Sequence, residues 1–164
     1  MLAKKDIQGR LFETKLTDIV EEKHELCILS GHIDWDALND KFKVVYCENF
    51  GRPGKEIRLM ISLQYLKYTF NVSDEVLVKM WVENPYWQYF SGEEYFQHSF
   101  PINPSLMTKF RNRVKSNNIE HLLSETIKSG LTLKVINKKS LENVTVDTTV
   151  QEKNITFPTD AKLY

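Results

Sequence analysis

Residues 57–70, Ile-Arg-Leu-Met-Ile-Ser-Leu-Gln-Tyr-Leu-Lys-Tyr-Thr-Phe, constrain this chain more than any other stretch. At helical spacing their apolar side chains occupy most of the circumference, which predicts a helix buried on several sides. Such a helix cannot stand at a surface, so other helices must wrap it. Asn71-Val72-Ser73 reads as a three-residue turn, with Ser73 as the N-cap of a second helix. Asp74 and Glu75 suit the first-turn dipole of that helix, which runs to about Val82 before Asn84-Pro85 stops it. The pair has helix-turn-helix proportions. An ordinary αα-hairpin in a small bundle has the same spacing, and spacing alone favours it.

Residues 1–29 are mixed and charged, and a helix is expected from about Leu16 to Cys27, closed by Ser30-Gly31. Asp34 is placed to cap a further short helix that ends before Val44. Gly51-Arg52-Pro53-Gly54 is a firm breaker ahead of the buried helix. Tyr86-Trp87-Gln88-Tyr89-Phe90 is an aromatic knot that suits a core. Stacking on exposed bases is the other use for such a cluster, but no Lys or Arg is interleaved to support it.

Asn103-Pro104-Ser105 opens the next helix, with Leu106, Phe110 and Val114 on one face. Lys109, Arg111, Arg113 and Lys115 point largely elsewhere, with no acid among them. Total net charge is zero, yet residues 101–140 carry a local excess of basic over acidic side chains. Charges more than a Debye length of about 8–10 Å apart are largely screened, so local charge is what matters. A cationic face of this kind suits DNA phosphates, through counterion release, or is merely a soluble helix face. Arg52, Lys55 and Arg58 form a second candidate phosphate-contacting set. Ile119, Leu122, Leu123 and Ile127 predict a last amphipathic helix with Gly130 as its C′ stop, and Lys134, Lys138 and Lys139 lead into a linker.

Several classes are disfavoured. Cys27 and Cys47 are isolated and form no CxxC motif, so they read as reduced thiols. No apolar run approaches the roughly 20 residues of a membrane span, and the first residues lack a signal-peptide core. A soluble cytoplasmic protein is expected. GxSxG, GxxxxGK[ST] and HExxH motifs are absent.

Val144-Thr145-Val146-Asp147-Thr148-Thr149-Val150 reads as a β-branched strand carrying one acid. A carboxylate there is costly unless paired, protonated or bound to a cation. Mg²⁺, which takes hard oxygen ligands, suits such a strand-end Asp. One carboxylate cannot hold a two-metal site.

Three long motifs now stand in order: Gly51-Arg52-Pro53-Gly54-Lys55-Glu56-Ile57-Arg58-Leu59-Met60, then Trp81-Val82-Glu83-Asn84-Pro85-Tyr86-Trp87-Gln88-Tyr89-Phe90-Ser91-Gly92, then Val146-Asp147-Thr148-Thr149-Val150-Gln151-Glu152-Lys153 with Phe157-Pro158-Thr159-Asp160. Together they resemble the insertion-sequence-five family of DDE transposases (InsH-like), over roughly residues 30–164. The resemblance implies a mainly α chain: a helical N-terminal domain with helix-turn-helix-like elements, followed by the first strand of an incomplete ribonuclease-H-like α/β core. It implies a helical extension over 1–29, a DNA-binding domain over 30–130, a basic linker over 131–141 and the start of a truncated catalytic core over 142–164. Asp147 takes the role of the first catalytic acid and Mg²⁺ ligand, the second Asp and the Glu lying beyond Tyr164. Element-end DNA is the implied partner, with self or intact transposase subunits as further partners. Little strand transfer is expected from such a chain alone, and a non-enzymatic module that pairs with an intact subunit, or an inactive remnant, is the alternative.

Overall fold

The computed structural model describes residues 13–44, 46, 54–114 and 116–141. Within them the chain is helical, in agreement with the mainly α expectation. A 3-10 turn at Leu16–Asp18 precedes seven α-helices: α1 Glu25–His32, α2 Trp35–Lys43, α3 Ile57–Phe70, α4 Asp74–Glu83, α5 Pro85–Phe90, α6 Ser105–Arg113 and α7 Ser116–Thr132. A second 3-10 turn covers Lys138–Leu141. The strand expected around Asp147 lies outside the described residues.

Helix α3 is the hub. Ile57, Leu59, Met60, Ile61, Leu63 and Leu66 are all buried, and α2, α4 and α6 pack around them. Leu38 and Phe42 from α2, Leu77, Val78 and Trp81 from α4, Trp87 and Phe90 from α5, and Met107 and Phe110 from α6 complete one continuous core. A fully buried side chain of this size stabilises by about 1.5–3 kcal/mol. Apolar burial around α3 is therefore the dominant favourable contribution. The aromatic knot belongs to this core, with Trp87 and Phe90 almost wholly enclosed.

Local boundaries follow from capping groups. Asp34 Oδ1 accepts from Ala37 N–H at 2.9 Å, and Ser73 Oγ accepts from Val76 N–H at 3.3 Å, so α2 and α4 begin where expected. Three boundaries differ. The helix expected over 16–27 is instead the short 3-10 turn, a bend and a separate α1 that continues through Ser30 and Gly31. His24 starts α1: its Nδ1 accepts from Leu26 N–H at 3.2 Å, and its ring stacks on Tyr86 at 3.9 Å. Asn84-Pro85 ends α4 but also opens α5. Asn84 Oδ1 accepts from Tyr86 and Trp87 N–H, and Pro85 occupies a first-turn position that needs no donor. Gly130 does not stop α7, which continues to Thr132; the left-handed residue is Lys134 at φ 57°. Gly130 serves packing instead, because the chain folds back and a Cβ there would lie 2.5 Å from Ile136 Cδ1.

The division expected at residue 30 falls inside α1. Upstream of it, Leu16 is buried and its N–H donates to Glu94 O at 2.8 Å, so residues 13–24 are anchored to the helical body. Helix α7 joins that body too. Tyr65 OH donates to Thr126 Oγ1 at 2.6 Å, and Ser129 Oγ donates to His32 O at 3.2 Å.

Two polar devices fix helix order, one inside the core and one at its edge. Gln88 is fully enclosed. Its Nε2 donates to Trp81 O, Val82 O and Gln97 O, and its Oε1 accepts from Gln97 N–H at 2.7 Å. It thereby pins α5 to the end of α4 and to the following loop. Trp81 Nε1 also donates to Ser91 Oγ at 3.0 Å. The second device joins α3, α4 and α6: Arg111 grips Asp74 with two bonds, at 3.0 and 2.6 Å, while Lys67 Nζ reaches the same carboxylate at 2.7 Å.

Replacing Gln88 by Leu leaves the Gln97 N–H and three carbonyls without their buried partner. Urea melts should show a loss of about 2–4 kcal/mol, whereas a surface change such as Lys79→Gln should stay within about 0.5 kcal/mol. The Asp74 triad should be acid-labile. Its carboxyl is held below the ordinary range, first by the Arg111 hydrogen bond and, against the opposing effect of burial, also by Lys67. A lowered folded-state pKa means that the stabilisation is complete above the unfolded carboxylate pKa of about 4, and is lost as pH falls through the folded value. Asp74→Asn should cost about 2–3 kcal/mol at neutral pH. It should also flatten the fall in urea midpoint as pH drops below about 4.

Candidate nucleic-acid interface

Helix α6 carries the richest expected set of contacts. Asn103 Oδ1 accepts from both the N–H and the Oγ–H of Ser105, at 3.0 and 2.8 Å, which sets the start of the helix. Met107 and Phe110 then face inward, with Leu106 partly covered beside them. At 100° per residue this register turns Lys109, Asn112 and Arg113 outward, and all three are exposed. Lys109 and Arg113 stand one turn apart, on the same flank as Leu106. Among the described residues neither forms an ion pair.

Arg111 lies on the opposite flank. Its two bonds to Asp74 and one to Thr108 Oγ1 at 3.1 Å engage both terminal nitrogens of the guanidinium, and the carboxylate holds its pKa above the ordinary value. The cation is thus held within the fold, by a carboxylate that it shares with Lys67. Sequence spacing places Asp74 only at a helix start, so this pairing across 37 positions is not readable from either local stretch.

The second expected set is dispersed. Lys55 is exposed just ahead of α3. Arg58 turns inward instead. Its guanidinium lies 4.6 Å from the Trp35 ring centre, and it donates to Ser30 Oγ at 3.0 Å and to Phe90 O at 3.3–3.4 Å. Burial pushes its pKa below the usual arginine value, with the charges of Tyr89 and Glu56 opposing. Glycine at 92 makes this possible: its φ is +87°, and a Cβ would meet Arg58 Cδ and Nε at 2.7 Å. Arg58 therefore ties α1, α3 and α5 together, with its Nε and Nη2 donors occupied within the fold. Arg52, Lys115 and Asp147 lie outside the described residues.

The α3–turn–α4 unit is an αα-hairpin whose outward α4 face carries Glu75, Val76, Lys79, Met80 and Glu83. Two carboxylates against one ammonium make that face a poor match for phosphate. The outward flank of α6 is the better one. Among the described residues no group of three or more His, Cys, Asp or Glu side chains could hold a metal ion, so the Mg²⁺ expectation rests on Asp147. No helix there is long and apolar enough to cross a membrane.

Arg58 and the α6 cations are separable by experiment. Arg58→Met should cost about 2–3 kcal/mol in urea melts, because Ser30 Oγ and the Phe90 carbonyl lose a charged donor inside the fold. The same substitution should leave the salt dependence of any polyanion binding unchanged.

A family model described as transposase domain (DUF772) matches residues 14–113, from the anchored N-terminal segment to the last residue of α6. The uncharacterized protein ORF8 in the nfe locus of Rhizobium meliloti is 44% identical over 154 residues, covering 94% of this chain and 74% of that protein. No solved structure matches. The chain belongs to the transposase domain family.

Proposed function

We propose that the helical body is the DNA-binding part of a DDE transposase of the insertion-sequence-five, InsH-like kind, and that it engages element-end DNA through the outward flank of α6. Membership of the transposase domain family supplies the context. The observation that carries the proposal is the exposed pair Lys109 and Arg113, one helical turn apart and without acidic partners among the described residues. Two cations at that spacing can each take a backbone phosphate, and each contact releases condensed counterions. Asn112, exposed between them, can donate to phosphate or to a base edge.

The catalytic part of the proposal rests on the sequence resemblance. Asp147 is the proposed first acid and Mg²⁺ ligand, needing two further carboxylates for strand cleavage and transfer. The alternative, a non-enzymatic module docking on a transposase subunit through the Trp81–Phe90 region, finds less support. Trp81, Trp87 and Phe90 are spent inside the core and cannot also form an exposed patch.

Binding of a labelled random-sequence duplex across a salt series tests the DNA contact. The paired substitution Lys109→Gln/Arg113→Gln should weaken binding at every sequence and reduce the slope of log K against log salt by about 2. Identical slopes for the two proteins would remove this flank as the interface.

A further inference from the structure

We propose that the DNA-contacting face extends beyond α6 onto the last turn of α2, where Lys41 and Lys43 provide a second pair of phosphate contacts. This rests on the reading of α6 given above and names the rest of the same surface. Phe42, the residue between the two lysines, is buried and stacks on Phe110 of α6 at a ring-centre distance of 6.2 Å and an interplanar angle of 20°. Phe110 is in turn the neighbour of Lys109. The same aromatic contact therefore fixes both cationic turns relative to each other. Both lysines are exposed.

Two further contacts bring the turns together. Tyr46 N–H donates to Lys43 O at 3.0 Å, and burial pushes the Tyr46 hydroxyl pKa up against the opposing charge of Arg113. Tyr46 thus lies between the end of α2 and the end of α6. On the other side, Lys41 Nζ donates to His121 Nδ1 of α7 at 3.4 Å. Lys41 and Lys43 thus flank buried Phe42 on either side, and Phe42 packs on the helix that carries Lys109 and Arg113, with Asp40 and Glu120 as exposed acids on the adjoining turns. The balance is cationic over a patch held by rigid packing, which suits a polyanion with regularly spaced charges. Duplex DNA, presenting a charge every 1.7 Å or so of its axis, is the partner chemistry that uses such spacing.

The test uses the full chain and a labelled random-sequence duplex, over a salt series, with thermal melts alongside. Lys41→Gln/Lys43→Gln should reduce the salt slope by about 2, like the Lys109→Gln/Arg113→Gln pair, while Lys41→Arg/Lys43→Arg should keep it. All variants should melt cooperatively, since the altered groups are exposed. An unchanged slope for Lys41→Gln/Lys43→Gln, with a reduced slope for the α6 pair, would overturn the extension and leave the α6 reading standing. A reduced slope for the α2 pair alone would overturn the joint face and the α6 reading together. No duplex binding by the wild-type chain would overturn both.

Discussion

Everything in this fold follows from the need to enclose α3. A helix with apolar side chains on most of its surface has no face to offer water, so it recruits α2, α4 and α6 as a sheath. That sheath positions the remaining parts. Helix α5 closes one end through the aromatic side chains of Trp87 and Phe90, and α7 lies over α1 and α2. Because α6 must present Met107 and Phe110 to α3, its outward flank is determined by the core and not by any ligand. The register that turns its cations outward is thus a by-product of burial.

Charged and polar groups then decide which arrangement of the sheath is adopted. Apolar contacts alone would tolerate many rotations of α4 and α6 about α3. The bidentate Arg111–Asp74 pair and Lys67 permit one, because a guanidinium fork and a carboxylate meet in a narrow range of orientations. Gln88 does the same for α5. Its four hydrogen bonds are satisfied only if the ends of α4 and the 93–97 loop converge on one point. A buried amide is an unforgiving constraint, since any alternative packing leaves it unpaired.

Much of this was legible in advance. Helix α3 and the Ser73 cap could be read because their signals are local: apolar periodicity in one case, a side-chain oxygen three residues before an N–H in the other. The same holds for the α2 start at Asp34. Failures came where one residue has two local meanings. Asn84-Pro85 can end a helix or begin one, and only the orientation of the Asn84 amide toward Tyr86 and Trp87 decides. Gly130 can be a stop or a gap for a neighbour, and only the return of Ile136 shows which. At the candidate interface, helical spacing correctly turned Lys109 and Arg113 outward. It could not show that Arg111 would be claimed by Asp74, or Arg58 by Trp35 and the Phe90 carbonyl, because those partners are distant in sequence.

The close approach of Arg58 to Gly92 has an evolutionary corollary. A side chain at position 92 would occupy the volume of the guanidinium and would require a backbone conformation that most residues avoid. Drift at position 92 would evict the arginine, and an emptied position 58 would leave the glycine with no purpose beyond its turn. The two sites, 34 positions apart along the polypeptide, are therefore coupled in one direction: a side chain at 92 displaces the guanidinium, whereas a smaller residue at 58 relieves the contact and leaves the positive φ.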